Sequence, residues 1–598
     1  MTDRVLQINE LLSNEDVYAS NISNSWQTWR NQMAKKHADW QELDSYIFAT
    51  DTTSTSVGAL PWKNSTTLPK ICQIRDNLHS NYMSALFPND KWLTWQAYTK
   101  DAAKHDVARL MTGYMDNKLR EGNFRTVVSR LVLDYIDKGN AFAMPTFERR
   151  YVEKFGEKVA DYVGPKTERI SPYDIQFDPT ASTFERTPKI VRSIKKLGDL
   201  AKLAGKNPEE HGFWLDVITK RMEIRNALSG LKADDMEKIN QYHIDGFGSL
   251  QEYYGSDYVE ILEFYGDFFN VITGELEENR MITVVDRQNA VRNVDMPTYS
   301  GRTPIFHVGW RLRQDNLWAM GPLDNLVGLQ YRLDHLENLQ ADAMDLVVHP
   351  PLKIIGEVEE FVWKPGVEIH IDENGDVQEV SSSMQGLAIA DSKMQSIEDR
   401  MELYAGAPRE AMGIRTPGEK TAFEFDSLMT AAGRIFQEKA TNFEINLIEP
   451  LLNAMIETAH RNFEGIDTVR VIDDELGIQK FLEISKDDLT AQGILRPVGA
   501  RHFAQQSQDL MNLNQLFSGP LGERIAPHTS GKELTRLIDN VMNLRGYTIF
   551  TPNVSILEQQ ETQRLINTAQ EDLEVEAAGP TESENIVDEV EEEEVPVE

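Results

Sequence analysis

Gly413-Ile-Arg-Thr-Pro-Gly418-Glu-Lys420-Thr421 stands one residue from a phosphate-binding loop. In such a loop Lys directly follows the second Gly, so that its ammonium reaches the β and γ phosphates of a nucleotide. Here Glu419 takes that place and adds negative charge, and no strand pattern leads in. Nucleotide chemistry is not expected there. Ser530-Gly-Lys532-Glu533 lacks the hydroxyl residue after Lys and reads better as a helix capping box. Asp372-Glu-Asn374-Gly-Asp376 has the acid spacing of a calcium loop, but its Gly falls at the wrong offset and β-type runs flank it, so a hairpin turn is the better reading.

The other reactive residue types are scattered. His335, His349, His370, His460 and His502 show no HExxH or paired spacing that would set two imidazoles on one helix face towards zinc. No GxSxG elbow exists, and Cys72, the one cysteine, sits in an apolar helical context where an inert thiol is expected. Carboxylates are so abundant that no pair of them stands out as an acid/base dyad. The sequence therefore predicts no catalytic residues, no cofactor and no metal, and a chain that is not an enzyme.

Charge narrows the partners. Lys+Arg number 61 against 96 Asp+Glu, for −35 overall, and Glu571–Glu598 holds 13 acids without a base, leaving −22 for the rest. High-affinity DNA binders cluster Lys and Arg, because neutralised phosphates and released counterions supply most of the affinity. An acidic wall can instead let DNA pass without holding each phosphate, although solubility alone also explains the charge. No apolar run approaches the ~18 residues that span a bilayer, and the polar start MTDRVLQINELLSNED is unlike a secretory signal. A soluble, unexported chain without membrane partners is expected.

The elements that position these groups begin with a long helix. Thr421 and Glu424 form a capping box. Phe425, Leu428, Ala432, Ile435, Phe436, Phe443, Leu447, Leu451 and Met455 then continue an apolar stripe at helical spacing. Residues 421–463 would span roughly 64 Å, with a kink or break near Ile445 to Glu449 because Pro450 cannot donate its N–H.

Upstream, residues 1–150 read as mostly helical, with Trp26, Trp29, Trp40, Tyr46 and Phe48 as core. Short extended pieces follow over 141–190, then charged helix over 190–250. YVEILEFY, FFNVIT, RMITVVD and TPIFHVGWRLR predict a small antiparallel sheet between Tyr258 and Arg313. A helix is predicted from Pro322 to about Val348, its stripe running through Leu323, Leu326, Leu329, Leu333, Leu336, Leu339, Ala343 and Leu346, and ended by His349-Pro350-Pro351. LKIIGEV, GVEIHI and DVQEV then form a β insert with a hairpin at Asn374-Gly375, and Asp391 can cap a second helix. Helices are expected over about 499–517, 531–545 and 553–575, and a disordered tail from 571.

This order, with the strings SPYDIQFDP, HVGWRLRQDNLWAMGPLDNLVGLQYRLDHLENL, HPPLKI and GAPREAMGIRTPGEKTAFEFDSLMTAAGRIFQ and the INLIEPLL helix, resembles the portal proteins of tailed bacteriophages, particularly short-tailed ones. The likeness covers approximately residues 165–465. It implies an α+β, predominantly helical portal fold of wing, stem, clip and crown, assembling as a ring of usually twelve copies at one capsid vertex, through which viral DNA is packaged and ejected. Implied partners are the terminase packaging motor, tail adaptor proteins, the major capsid and scaffolding proteins, and double-stranded DNA passing without sequence specificity. Implied location is the virion, after assembly in the host cytoplasm.

On this sequence the resemblance makes 1–321 the wing, 322–348 the first stem helix, 349–390 the clip and 391–405 the second stem helix. A channel loop follows at 406–420, then a long kinked wing helix at 421–463, a return to the wing at 464–498, a helical crown at 499–570 and the acidic tail at 571–598. Gly413, Arg415, Thr416, Pro417, Gly418 and Lys420 would face DNA, while Lys353, Glu357, Glu359, Trp363, Asp372, Asn374 and Asp376 would offer the clip's docking surface. Arg415 and Lys420 are equally explained by pairing with acids on a neighbouring copy. Rival readings are another virion structural protein, either a tail adaptor or an internal capsid protein, and a packaging ATPase or nuclease.

Overall fold

Asp16 starts the first helix by accepting the Tyr18 N–H at 2.9 Å through Oδ1, which satisfies a donor that the helix itself cannot. The computed structural model describes residues 16–48, 66–88, 92–98, 105–154, 157–206, 208–228, 250–270, 273–348, 352–355, 376–379, 385–406, 435–463, 467–472, 479–486, 489 and 493–497. All fall within one compact unit, Met1–His502. The regions predicted as crown and acidic tail lie outside the described residues.

Helices α1 (Val17–Gln32), α2 (Ala34–Ile47) and α3 (Lys70–Leu86) are followed by strand β1 (Leu93–Ala97) and helices α4 (His105–Glu121) and α5 (Phe124–Asp137). Trp26 and Trp40 are fully buried, as expected of core aromatics, but Phe48 is 65% exposed. It ends α2, beyond the last turn that the core covers, and the Arg75 guanidinium lies over its ring.

Next comes one long antiparallel hairpin, β2 (Asn140–Lys154) with β3 (Glu157–Ile170), which bulges between Arg150 and Tyr151. Short extended pieces were expected there. Pro145, Gly164 and Pro165 break the local strand pattern, and pairing across the hairpin overrides them.

A five-stranded sheet follows in the order β4 (Ile175–Phe177), β5 (Lys189–Lys196), β6 (Tyr258–Phe269), β7 (Leu276–Val285), β8 (Asn289–Asp295). Helices α6 (Leu197–Lys206) and α7 (Phe213–Leu228), a turn at Pro208–His211, and α8 (Leu250–Gly255) lie between β5 and β6. Lys189–Lys196 is thus strand where charged helix was expected, because Ile190 and Val191 are buried between β4 and β6. Alternation along β6 serves two cores. Leu262, Phe264 and Phe268 pack with Ile22 and Trp26 of α1, whereas Val259 and Ile261 pack with Leu200 and Trp214.

The fourth β string does not join this sheet. Strand β9 (Phe306–Gly309) pairs with β2, giving a separate sheet ordered β3-β2-β9. A hairpin-like run in sequence cannot announce which distant edge it will meet.

Helix α9 spans Val327–Val348, so the predicted helix starts five residues late. Asp324 Oδ2 accepts the Gly321 N–H at 3.1 Å and pairs with Lys36 at 3.3 Å, which holds residues 322–326 as turns. Strands β10 (Leu352–Ile355) and β11 (Asp376–Glu379) pair antiparallel; the GVEIHI run and the Asn374-Gly375 turn lie outside the described residues. Helix α10 runs Gln385–Ala405. Asp391 is therefore mid-helix rather than its cap, and the boundary set at 390/391 moves back to 384/385, because Leu387-Ala-Ile-Ala390 are strong or tolerant helix formers that propagate past the polar signal.

The last helix covers 435–462 among the described residues, the predicted start with the Thr421/Glu424 capping box lying outside them, and it contains a π-helical turn at Glu444–Ile448, just before Pro450. The missing proline N–H is absorbed by one wide turn rather than a break. Strands β12 (Asp467–Ile472) and β13 (Gln479–Ile484) pair with each other, and β14 (Gly493–Pro497) pairs with β1. The main core unites α2 to α5 with the roots of α9 and α10 and the helix at 440–459.

Candidate assembly surface

The root of the helix pair α9/α10 is pinned by a ladder of polar side chains one turn apart on α9. Gln330 Nε2 donates to Leu68 O at 2.6 Å and to Asp334 Oδ1 at 2.8 Å, Asp334 Oδ1 accepts the Leu68 N–H at 2.9 Å, and Asn338 Oδ1 accepts the Thr66 N–H at 2.6 Å. These residues recur at i, i+4 and i+8, so one helix face holds the extended segment 66–68. On α10, Met394, Ile397, Met401 and Ala405 are buried in the main core.

Charge completes the anchor. Lys70 Nζ lies 2.7 Å from Glu402 Oε1 and 3.4 Å from Glu398 Oε2, and the Lys70 and Glu402 side chains are both almost fully buried. Lys70→Met is expected to cost about 3 kcal/mol, since it removes the cation from a buried carboxylate. Glu398→Gln, at the more exposed partner, is expected to cost under about 1 kcal/mol. Chemical denaturation of both variants checks the contrast.

Past this root the apolar stripe continues only half covered. Leu323, Leu326 and Leu333 are fully buried, whereas Leu339 and Leu346 on the same face are 47% and 45% exposed; Met344, on another face of the helix, is 57% exposed. Across the pair, Ile389 is 70% exposed, and Ile354 and Ile355 at the β10 end are exposed as well. Half-exposed leucines that continue a core stripe along one helix face suit an interaction surface better than an ordinary solvent-facing helix.

Of the residues predicted to act, Lys353 and Asp376 are exposed on β10 and β11, opposite Gln378 and Ile355 respectively. Glu357, Glu359, Trp363, Asp372 and Asn374, and the loop residues Gly413, Arg415, Thr416, Pro417, Gly418 and Lys420, lie outside the described residues. Gly406, at the predicted start of that loop, has φ +72°. Leu339 and Leu346 were legible as part of a stripe, but only as core; Met344 and Ile389 carried no signal.

Among the described residues no group of three or more His, Cys, Asp or Glu could hold a metal ion. Nor is any described helix long and apolar enough to cross a membrane. Cys72 lies on α3, where burial and then the Asp76 carboxylate push its thiol up, away from the reactive thiolate.

The most displaced basic groups are His307 on β9 and Lys189 on β5. His307 Nε2 lies 3.0 Å from Asn140 Oδ1. The Asn140 amide nitrogen donates to Lys138 O and Ala319 O, which leaves its oxygen as acceptor and makes Nε2 the protonated nitrogen of a neutral imidazole. Burial, and then the Lys189 charge, lower His307 to about 3. Burial also lowers Lys189 to about 7.

Both folded values lie below the unfolded ones, so the unfolded chain takes up protons that the folded chain refuses. The His307 contribution is complete above pH 6.5 and is lost as pH falls towards 3; Lys189 acts in the same direction between 10.5 and 7. Between pH 7 and pH 4 His307 is expected to account for up to about 3 kcal/mol of lost stability. His307→Gln, which keeps a donor for Asn140, should flatten urea-midpoint curves over that window.

No protein-family model matches the chain, and no curated protein sequence matches it.

Proposed function

We propose that this chain is the portal subunit of a tailed bacteriophage, one of a ring of identical copies around a channel through which double-stranded DNA enters the capsid and later leaves. In this reading α9 and α10 are the stem, β10 and β11 belong to the clip that meets the packaging motor and then the tail adaptors, and the helix at 435–462 crosses the wing. The chain contributes no catalysis and works in the virion at the capsid vertex after assembly in the host cytoplasm.

The observation that carries the reading is the helix pair that leaves the core with its apolar stripe exposed. A helix of a finished monomer buries such a stripe; a subunit leaves it for its neighbours.

Negative-stain microscopy of purified protein tests it directly. Closed rings with a central hole are the expected result, together with capsids that stay empty when the chain is omitted. A monomer under assembly conditions, or filled particles without the chain, would remove the reading. A tail adaptor or internal capsid protein would instead leave genome packaging intact when omitted.

A further inference from the structure

Helix α7 buries a charge beside the turn that joins β7 to β8. Arg221 is 2% exposed, and its guanidinium lies between the Tyr253 and Tyr254 rings, 4.2 Å from each centroid. Nη1 donates to Asp286 Oδ2 at 2.9 Å, and Nη2 donates to Tyr253 O at 2.7 Å and Tyr258 O at 2.8 Å. Among the described residues the Arg221 Nε–H finds no acceptor. Asp286 reaches Arg221 from a turn in which Asp286 and Arg287 have φ of 51° and 61°, a conformation that Asn and Gly ordinarily supply.

A cavity of about 140 Å³ lies between α7 and this turn, with Val217, Ile224, Val285 and Val291 as its apolar lining. Its polar lining is both short of partners and balanced in charge. Lys220 Nζ donates to Asn289 Oδ1 at 2.5 Å, a neutral partner for an ammonium that has three donors. Gln288 Oε1 is buried and, like the Arg221 Nε–H, unpartnered among the described residues, a cost that a ligand group or water must offset. Lys220 and Arg221 face two carboxylates on the same cavity, Asp216 and Asp286, so the lining favours neither anion nor cation.

We propose that this cavity binds a small neutral molecule carrying a primary carboxamide or a lactam, whose C=O accepts from Lys220 and Arg221 and whose N–H donates to Gln288 Oε1. The Gln288 carboxamide presents that oxygen by turning about its last torsion, which is soft. A carboxylate would leave the Gln288 oxygen facing an acceptor, and an amine would leave the Arg221 Nε–H facing a donor; a carboxamide or lactam matches both. A cavity of about 150 Å³ admits a benzene-sized ring, which sets the size of the guest. The site shares no residue with α9 or α10, and the proposal does not depend on the portal reading.

The test titrates pyrrolidinone, a small cyclic lactam, into the full chain and reads saturation-transfer NMR of the ligand. Saturable binding with a Kd of roughly 1 mM is expected for a molecule of about six heavy atoms. Cyclopentanone, the same ring with a carbonyl and no N–H, should bind at least about tenfold more weakly, because it leaves the Gln288 oxygen unpaired. Gln288→Leu should weaken the lactam about tenfold and abolish its preference over the ketone, with thermal unfolding reporting that the variant is folded. The comparison of the two ligands on the parent chain stands whether or not that variant folds. Absence of saturable binding overturns the proposal and leaves the cavity to water; so does equal binding of lactam and ketone, or a preference that survives Gln288→Leu.

Discussion

Gly139→Ala should lower stability by about 4 to 6 kcal/mol, enough to leave little folded protein at 37 °C. Gly139 has φ +72°, and a Cβ built on it would lie 2.3 Å from Gly321 N and 2.4 Å from Met320 C. Both obstacles are backbone, so no rotamer change relieves them. The shift they force also pulls apart Asn140 and Ala319, which exchange a side-chain N–H to O bond at 3.0 Å and a backbone N–H to Oδ1 bond at 2.9 Å. Those bonds fix the start of β2 against the segment that leads into α9, and therefore the direction in which the helix pair leaves the core.

A matched control separates strain from clash. Gly274 has nearly the same φ, +73°, with nothing within 4 Å of a Cβ. Gly274→Ala should cost only the left-handed penalty of about 1 to 2 kcal/mol. Guanidinium denaturation of the two variants side by side checks both values; equal costs would mean that the close approach of Gly139 to Gly321 contributes nothing.

Replacing Leu339 and Leu346 together with Asp should leave the subunit folded and abolish its assembly. Both residues are about half exposed in the single chain, so their loss should move the melting temperature little, as for other surface changes. If neighbouring copies cover them, each Leu contributes about 1.5 kcal/mol to the contact, and each Asp places a carboxylate where it has no cation. Self-association should then weaken at least about a hundredfold per contact, a change of roughly 3 kcal/mol. Mass photometry and negative-stain images should show monomers for the variant and rings for the parent. Rings of undiminished stability would show that this stripe faces solvent in the assembly and would remove the observation on which the proposed function rests.

What the sequence determined by itself are the features whose cause is local. His349-Pro350-Pro351 follows the last helical residue of α9 directly, Pro450 places its disturbance at Glu444–Ile448, and the β-branched and aromatic residues of YVEILEFY and RMITVVD give β6 and β7. Each follows from the backbone geometry of a few adjacent residues, which does not depend on where the rest of the chain goes. The charge of −35 and the single cysteine likewise needed no coordinates to narrow the chemistry.

Tertiary structure alone decided the pairings and the burial. Nothing in FHVG names β2 as its partner rather than β8, and nothing in LTWQA names Gly493–Pro497, hundreds of residues away. The stripe from Leu323 to Leu346 reads as one continuous face, yet its first part is buried and its last part is half exposed, because periodicity is a property of one helix whereas burial depends on what other segments bring against it. The candidate surface therefore became visible only where the fold stops covering what the sequence had marked as core.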